Sequence, residues 1–299
     1  MALPPSAALP ALALLGNAMV WGLSWIAFKA LHARGWHPLW TTALVYALAL
    51  ALLLLRPGRL RVLVQHPHLW GLVAAAGLTN VCFNWAVTLG DVVRVTLLFY
   101  LMPLWSVGLA WWLLGEAPSR SALLRLVMAL AGLVLVLQPP GAGWPLPQGL
   151  ADWLALVGGF CFALTNVLLR RWRSTPPEGR LMAMFLGGFA MALLLALSGL
   201  AGPLPLLGQP GPGPGWLPWA LVLALAFLGG NLALQYGAPR LPAQVTALIM
   251  LAEVVFATGS SMLLGAARPT GWTLAGGALI LLAALLSVLP ARRAGAATA

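Results

Sequence analysis

The sequence predicts an all-α integral membrane protein of ten transmembrane helices, arranged as two inverted five-helix repeats. Three observations lead there. Of 299 residues, 62% are hydrophobic and only 7% charged, against roughly 25% charged residues in an ordinary soluble domain. No soluble core hides so much apolar surface, so the solvent must be lipid. The chain also says nearly the same thing twice: setting Thr96 on Thr246 brings Leu101 onto Leu251, Leu113 onto Leu263, Leu114 onto Leu264 and Gly115 onto Gly265. Gly22-Leu23-Ser24 followed by Lys29 likewise answers Ala163-Leu164-Thr165 followed by Arg170. A duplicated apolar half is the usual construction of a secondary transporter, in which two repeats rock about a shared site.

The third observation is where the positive charge lies. With the N-terminus inside, Arg56, Arg59, Arg61, Arg120, Arg125, Arg170, Arg171, Arg173, Arg180, Arg240, Arg292 and Arg293 fall on the cytoplasmic side. Lys29, Arg34, Arg94 and Arg268 fall on the outer side. This positive-inside bias puts both termini in the cytoplasm. It also accounts for the formal charge of +11 without a nucleic-acid partner. Five spans per half is an odd number, so the second half enters the membrane from the opposite side.

Taken in order, the apolar stretches run 9–31, 38–55, 69–89, 95–114, 122–137, 150–170, 181–200, 217–236, 243–264 and 271–289. They divide the chain into a first repeat at 9–137, a linker at 138–149, a second repeat at 150–289 and a cytoplasmic tail at 290–299. The number of spans argues that the first is no removed signal peptide. That first span presents Asn17, Trp21 and Ser24 along one face. The third carries Asn80 and Asn84, and the eighth Asn231 and Gln235; a spacing of four stacks each pair on one helix face. The sixth presents Gly159, Ala163 and Asn166 along one face. After the seventh, the Pro/Gly-rich segment 201–218 is an outer loop that cannot continue a helix.

Polar residues at membrane depth must be satisfied or face a wet cavity, which makes them the candidates for binding. Glu253, near the middle of the ninth span, is the one acidic residue deep in any span. It reads as a partner for a substrate ammonium, as a proton carrier, or as a protonated carboxyl bonded to a neighbouring helix. Its counterpart in the first repeat is Pro103, mid-span in the fourth. Proline removes an N–H and disturbs the carbonyl four residues back, that of Phe99. That position reads as a hinge, as an acceptor in the cavity wall, or as a kink that fits the packing. The amides read either as cavity lining, able to meet both a carboxylate and an ammonium, or as helix-to-helix glue. Trp21, Trp85, Tyr100, Trp105 and Tyr236 are the aromatics expected near a cavity. Trp36, Trp40, Trp70, Trp144, Trp216 and Trp272 read as an interfacial belt.

No catalytic constellation stands out, and no metal or cofactor site is expected. Cys82 and Cys161 read as small apolar side chains, and His66-Pro67-His68 as an interfacial loop.

Leu101-Met102-Pro103-Leu104-Trp105 through Leu113-Leu114-Gly115-Glu116 resembles the most recognisable motif of the EamA-type drug/metabolite transporter superfamily. The likeness runs over about 12–289. Pro103, Glu253, the Asn/Thr-rich spans and the abundance of tryptophan look most like the YddG-type amino-acid exporters. The resemblance implies a central cavity lined mainly by spans one, three, four, six, eight and nine, and export of amino acids, often aromatic, and related metabolites. The chain departs from the pattern where Ala266 replaces the acidic residue after the glycine and where Val254 stands in place of a proline.

Every Arg and the single Lys sit at or near span ends, which disfavours a strongly anionic cargo. The reading is therefore an inner-membrane exporter of neutral or zwitterionic amino acids working by alternating access, with the lipid bilayer as its other partner. The alternatives are an exporter of lipophilic organic cations, or a membrane-embedded protein that does not transport.

Overall fold

In the computed structural model of the chain, residues 5–55, 59–89, 95, 98–137, 147, 149–206, 214–264 and 271–288 are described. Thr96, Arg94, Trp144, Ala266, Arg268, nearly all of the 138–149 linker, part of the 201–218 loop and the 290–299 tail lie outside them. The described residues form helices without strands: α1 Pro5–His32, α2 Pro38–Leu54, α3 Arg59–Gln65, α4 Leu69–Leu89, α5 Met102–Leu114 and α6 Arg120–Leu137 in the first half. The second half holds α7 Leu150–Arg171, α8 Pro177–Leu195, α9 Trp216–Gly237, α10 Ala243–Met250, α11 Ala252–Leu263 and α12 Gly271–Val288. By length and composition, six helical segments among the described residues suffice to cross a membrane, and three further apolar helices are shorter. This is fewer full-length spans than the ten expected; the ninth, as Ala243–Ser260, is among the six although a turn interrupts it, and the fourth is represented by the shorter Met102–Leu114.

Both break at the same place in the repeat. Tyr100 and Leu101 form a turn ahead of α5, and Leu251 interrupts the helix between α10 and α11. Leu101 and Leu251 are repeat-equivalent, and each keeps near-helical angles with ψ flattened to -2° and -18°. Pro103 and Glu253 are therefore not mid-helix, as their sequence positions suggested. Each sits in the first turn of the half-helix that follows the break. A proline is tolerated there because the N–H it lacks has no intrahelical partner in a first turn.

The packing obeys the same symmetry. α4 packs on α7 and α5 on α7, just as α9 packs on α1 and α11 on α1; α2 lies against α8 and α6 against α12. Pro10 near the start of α1 touches Gly237 at the end of α9, and Arg170 at the end of α7 reaches Pro239. At the opposite end, Arg34 after α1 donates to the Pro214 carbonyl before α9. α1 and α7 thus run in opposite directions, and the repeats are inverted. The end that holds Arg170 also gathers Arg120, Arg125, Arg171, Arg173, Arg180 and Arg240. We call it the basic end.

The two ends differ in tightness. On α7, residues 165–169 are all buried, and on α10 so are residues 246–250, whereas residues 255–260 of α11 are all partly exposed. Along these helices the residues nearer the basic end are the more completely buried. Two of the tryptophans read as interfacial belt are in fact internal: Trp36 is buried against Trp216, and buried Trp40 donates to the Gly202 carbonyl at 3.1 Å. Trp70 and Trp272 are exposed, as a belt requires. Cys82 and Cys161 are free and buried.

Candidate functional site

A narrow central cavity lies between the two halves, in two adjoining lobes of about 20 Å³ each. Trp21, Thr79, Asn80 and Phe162 line both lobes. One lobe adds Tyr46, Thr165, Met184 and Asn231; the other adds Phe83, Phe99 and Glu253. The walls come from α1, α2, α4, α7, α8, α9, Phe99 just ahead of the turn before α5, and α11.

Close packing at two glycines fixes this arrangement. A Cβ on Gly159 of α7 would overlap the Phe99 carbonyl, and one on Gly22 of α1 would lie 2.7 Å from the Glu253 carbonyl. Each glycine therefore admits the backbone beside one of the two helix breaks. The Phe99 carbonyl, which the sequence marked as disturbed by Pro103, is held against the Gly159 backbone. Overpacking of this kind costs about 1–3 kcal/mol or more, and here it would push the broken segment away from α7. Gly159→Leu is expected to abolish well-folded protein, seen as loss of the monodisperse peak in detergent size-exclusion chromatography; a normal peak would mean that the contact yields.

Five of the twelve residues expected at a binding site line the cavity: Trp21, Asn80, Phe99, Asn231 and Glu253. Asn80 accepts from the Tyr46 hydroxyl at 2.8 Å and donates to the Ala76 carbonyl at 2.8 Å. Asn231 donates to the Phe227 carbonyl at 2.9 Å. Trp21 stacks on Phe227 with ring centroids 4.4 Å apart. Phe99 meets Phe83 at 4.6 Å and Phe162 at 5.9 Å, which makes one wall aromatic. Glu253 is partly exposed to its lobe. The buried Tyr100 does not line the lobes, but its hydroxyl engages the Glu253 carboxyl across the two helix breaks.

The remaining expected residues lie elsewhere. Asn84 donates to Thr42 of α2, and Asn17 donates to the Met250 sulfur at 3.4 Å. Gln235 donates to the Met184 sulfur at 3.0 Å. These contacts tie helices together. Ser24 returns its hydroxyl to the Trp21 carbonyl. Asn166 is buried on α7, with neither side-chain polar atom hydrogen-bonded among the described residues. Pro103 is buried at the start of α5. Among the aromatics expected near a cavity, Trp105 is instead 37% exposed and packs on Phe160, and Tyr236 carries the Arg240 guanidinium 4.1 Å above its ring.

Sequence reasoning missed Tyr46, Ala76, Thr79, Phe83, Phe162, Thr165, Met184 and Leu234 as lining residues. The Tyr46 hydroxyl within an apolar span was a usable signal, since a phenol at membrane depth needs a partner. The phenylalanines and the methionine carry none.

At the basic end, Glu116 forms an inter-repeat tie beneath the cavity. Its carboxylate pairs with Arg170 of α7, and its second oxygen accepts from the Ala243 N–H at 3.4 Å, at the start of α10. Gln244 donates to the Glu116 carbonyl at 3.2 Å, and Arg170 also donates to the Pro239 carbonyl at 3.4 Å. A carboxylate at a helix N-terminus is favourably placed against the backbone dipoles. Glu116 and Arg170 thereby hold α5 and α7 to the α9–α10 connection.

The EamA-like transporter family model matches residues 8–138 and again residues 149–289. A solved crystal structure superposes with a TM-score of 0.74, covering 93% of this chain and 98% of the other at 22% identity, which is a likeness of fold. No curated protein matches the chain. Two consecutive matches, meeting where the two inverted halves meet, leave one assignment: the chain belongs to the EamA-like transporter family.

Proposed function

We propose that this transporter exports neutral, zwitterionic amino acids, aromatic ones among them, and related small metabolites across a bacterial-type inner membrane by alternating access. The observation that carries the reading is the make-up of the central cavity. It sets one carboxylate, Glu253, among aromatic rings and two asparagines, and includes no Lys or Arg among its described lining residues. A substrate ammonium would meet Glu253, while a carboxylate would meet the amide N–H groups. Asn80 and Asn231 each spend one N–H on a backbone carbonyl of their own helix and have a second to offer. Trp21, Phe83, Phe99 and Phe162 give an apolar side chain its surface. The clustering of arginines at the end that bears Arg170 supports N-in, C-in topology.

A second reading, export of lipophilic organic cations, is favoured by the same carboxylate within an aromatic wall. Competition against labelled phenylalanine uptake into proteoliposomes separates the two. Neutral amino acids are expected to compete at concentrations at which tetraphenylphosphonium does not. The reverse order would establish the cation reading.

Asn80 and Asn84, four residues apart, supply an internal control. Asn80→Ala is expected to raise the apparent KM about fivefold or more, from loss of about 1–3 kcal/mol of substrate interaction. Asn84→Ala should instead lower the melting temperature in detergent with KM little changed. Equal KM values for the two variants would remove Asn80 from the binding site.

A further inference from the structure

A groove of about 460 Å³ lies open at the basic end, lined by Leu113, Leu114, Glu116, Arg170, Arg171 and Arg173. One side is apolar and the other basic. The single acid of the lining is already paired with Arg170, and among the described residues no ion pair involves Arg171 or Arg173. Both are exposed. Arg171 donates one N–H to the Leu113 carbonyl at the end of α5, which anchors the guanidinium at the helix terminus while its other donors remain. From Leu113 and Leu114 the same helix continues onto Trp111 and Trp112, 65% and 78% exposed and facing where lipid must lie. The groove thus joins a cationic mouth at the membrane surface to an apolar helix face.

The feature is not a by-product of the repeat. On the repeat correspondence that sets Arg170 on Lys29, Arg171 falls on Ala30 and Arg173 on His32. The basic pair is built into one end only.

We propose that this groove holds the phosphodiester of an anionic phospholipid from the adjoining leaflet, with its acyl chains along Leu114, Trp111 and Trp112. Guanidinium groups match phosphate oxygens with paired N–H donors, and basic pockets between membrane helices are where anionic headgroups lodge. A zwitterionic lipid brings its own cation into a mouth that is already positive, so the groove discriminates between headgroups. The site is independent of what the central cavity carries.

Native mass spectrometry of the detergent-purified protein, titrated with phosphatidylglycerol or phosphatidylcholine, tests the proposal. Phosphatidylglycerol is expected to be retained over phosphatidylcholine by about tenfold, and Arg171→Gln/Arg173→Gln should remove that preference. Arg173→Gln alone leaves the Arg171–Leu113 hydrogen bond in place, and should reduce the preference by about threefold if the double variant fails to fold. Equal retention of the two lipids, or a preference untouched by either variant, would overturn the assignment. So would complete displacement of phosphatidylglycerol by millimolar inorganic phosphate, which would make this a site for free anions.

Discussion

Glu253→Gln is expected to leave the protein folded and to lose gradient-driven transport, while keeping a fraction of downhill exchange. The amide is nearly isosteric with the carboxyl and still accepts from Tyr100, so the contact across the helix breaks survives. What disappears is the negative charge, the one feature of the cavity that can attract a substrate ammonium or carry a proton. Competition between proton and ammonium for one carboxylate gives a simple antiporter its coupling. Loss of a charged hydrogen bond of roughly 1.5–3 kcal/mol corresponds to a drop of about tenfold to 150-fold in kcat/KM. Initial rates in proteoliposomes across pH 5.5–8 check this. A variant with wild-type rates and wild-type pH dependence would make Glu253 a structural residue, and the transporter an uncoupled facilitator.

Removing the tie beneath the cavity should have the second large effect. In Glu116→Ala, Arg170 loses its carboxylate and the Ala243 N–H its acceptor, and only the Gln244 bond to the residue 116 carbonyl still joins the α5 end to α10. The pair is largely shielded, with side chains 18% and 25% exposed, and the tie should be worth about 1–3 kcal/mol. Under the proposed alternating access, that shifts an equilibrium between forms closed and open at the basic end by roughly fivefold to 150-fold. A cysteine placed at Ala238, which is 1% exposed, reports the shift in a background without Cys82 and Cys161. Its labelling by impermeant maleimide in inside-out vesicles should accelerate about tenfold or more on Glu116→Ala. An unchanged rate would mean that Glu116 caps α10 without gating. The repeat position that would supply the matching acid at the opposite end is Ala266, so no equivalent tie is expected there.

Much of this was legible in the sequence because membranes make polarity expensive. Composition alone required helices in lipid, and the duplicated motif with its odd number of spans implied the inversion that α1 and α7 display. The positions of Trp21, Asn80, Asn231 and Glu253 at the cavity followed from the cost of polar or amphipathic groups at depth. Periodicity could not separate Asn80 from Asn84: both lie on one face of α4, and which of them meets the cavity is decided by how α2 approaches, through Thr42. The helix breaks were half visible. Pro103 marked the first, but the second has no proline, and only repeat equivalence with Leu101 points to Leu251. Breaks whose residues keep near-helical angles leave no residue-type signature. The internal packing of Trp36 and Trp40 was hidden for a similar reason, because tryptophan near a span end suits an interface and a helix contact equally well.

Counterflow in liposomes tests the central claim most directly. Vesicles loaded with unlabelled phenylalanine and diluted into trace labelled phenylalanine should show a transient, saturable overshoot that depends on the protein. The overshoot should be abolished in Trp21→Ala/Asn80→Ala, which strips both lobes of the cavity of a shared wall. Absence of any overshoot with phenylalanine, leucine or other neutral amino acids, together with one for an organic cation, would contradict the account.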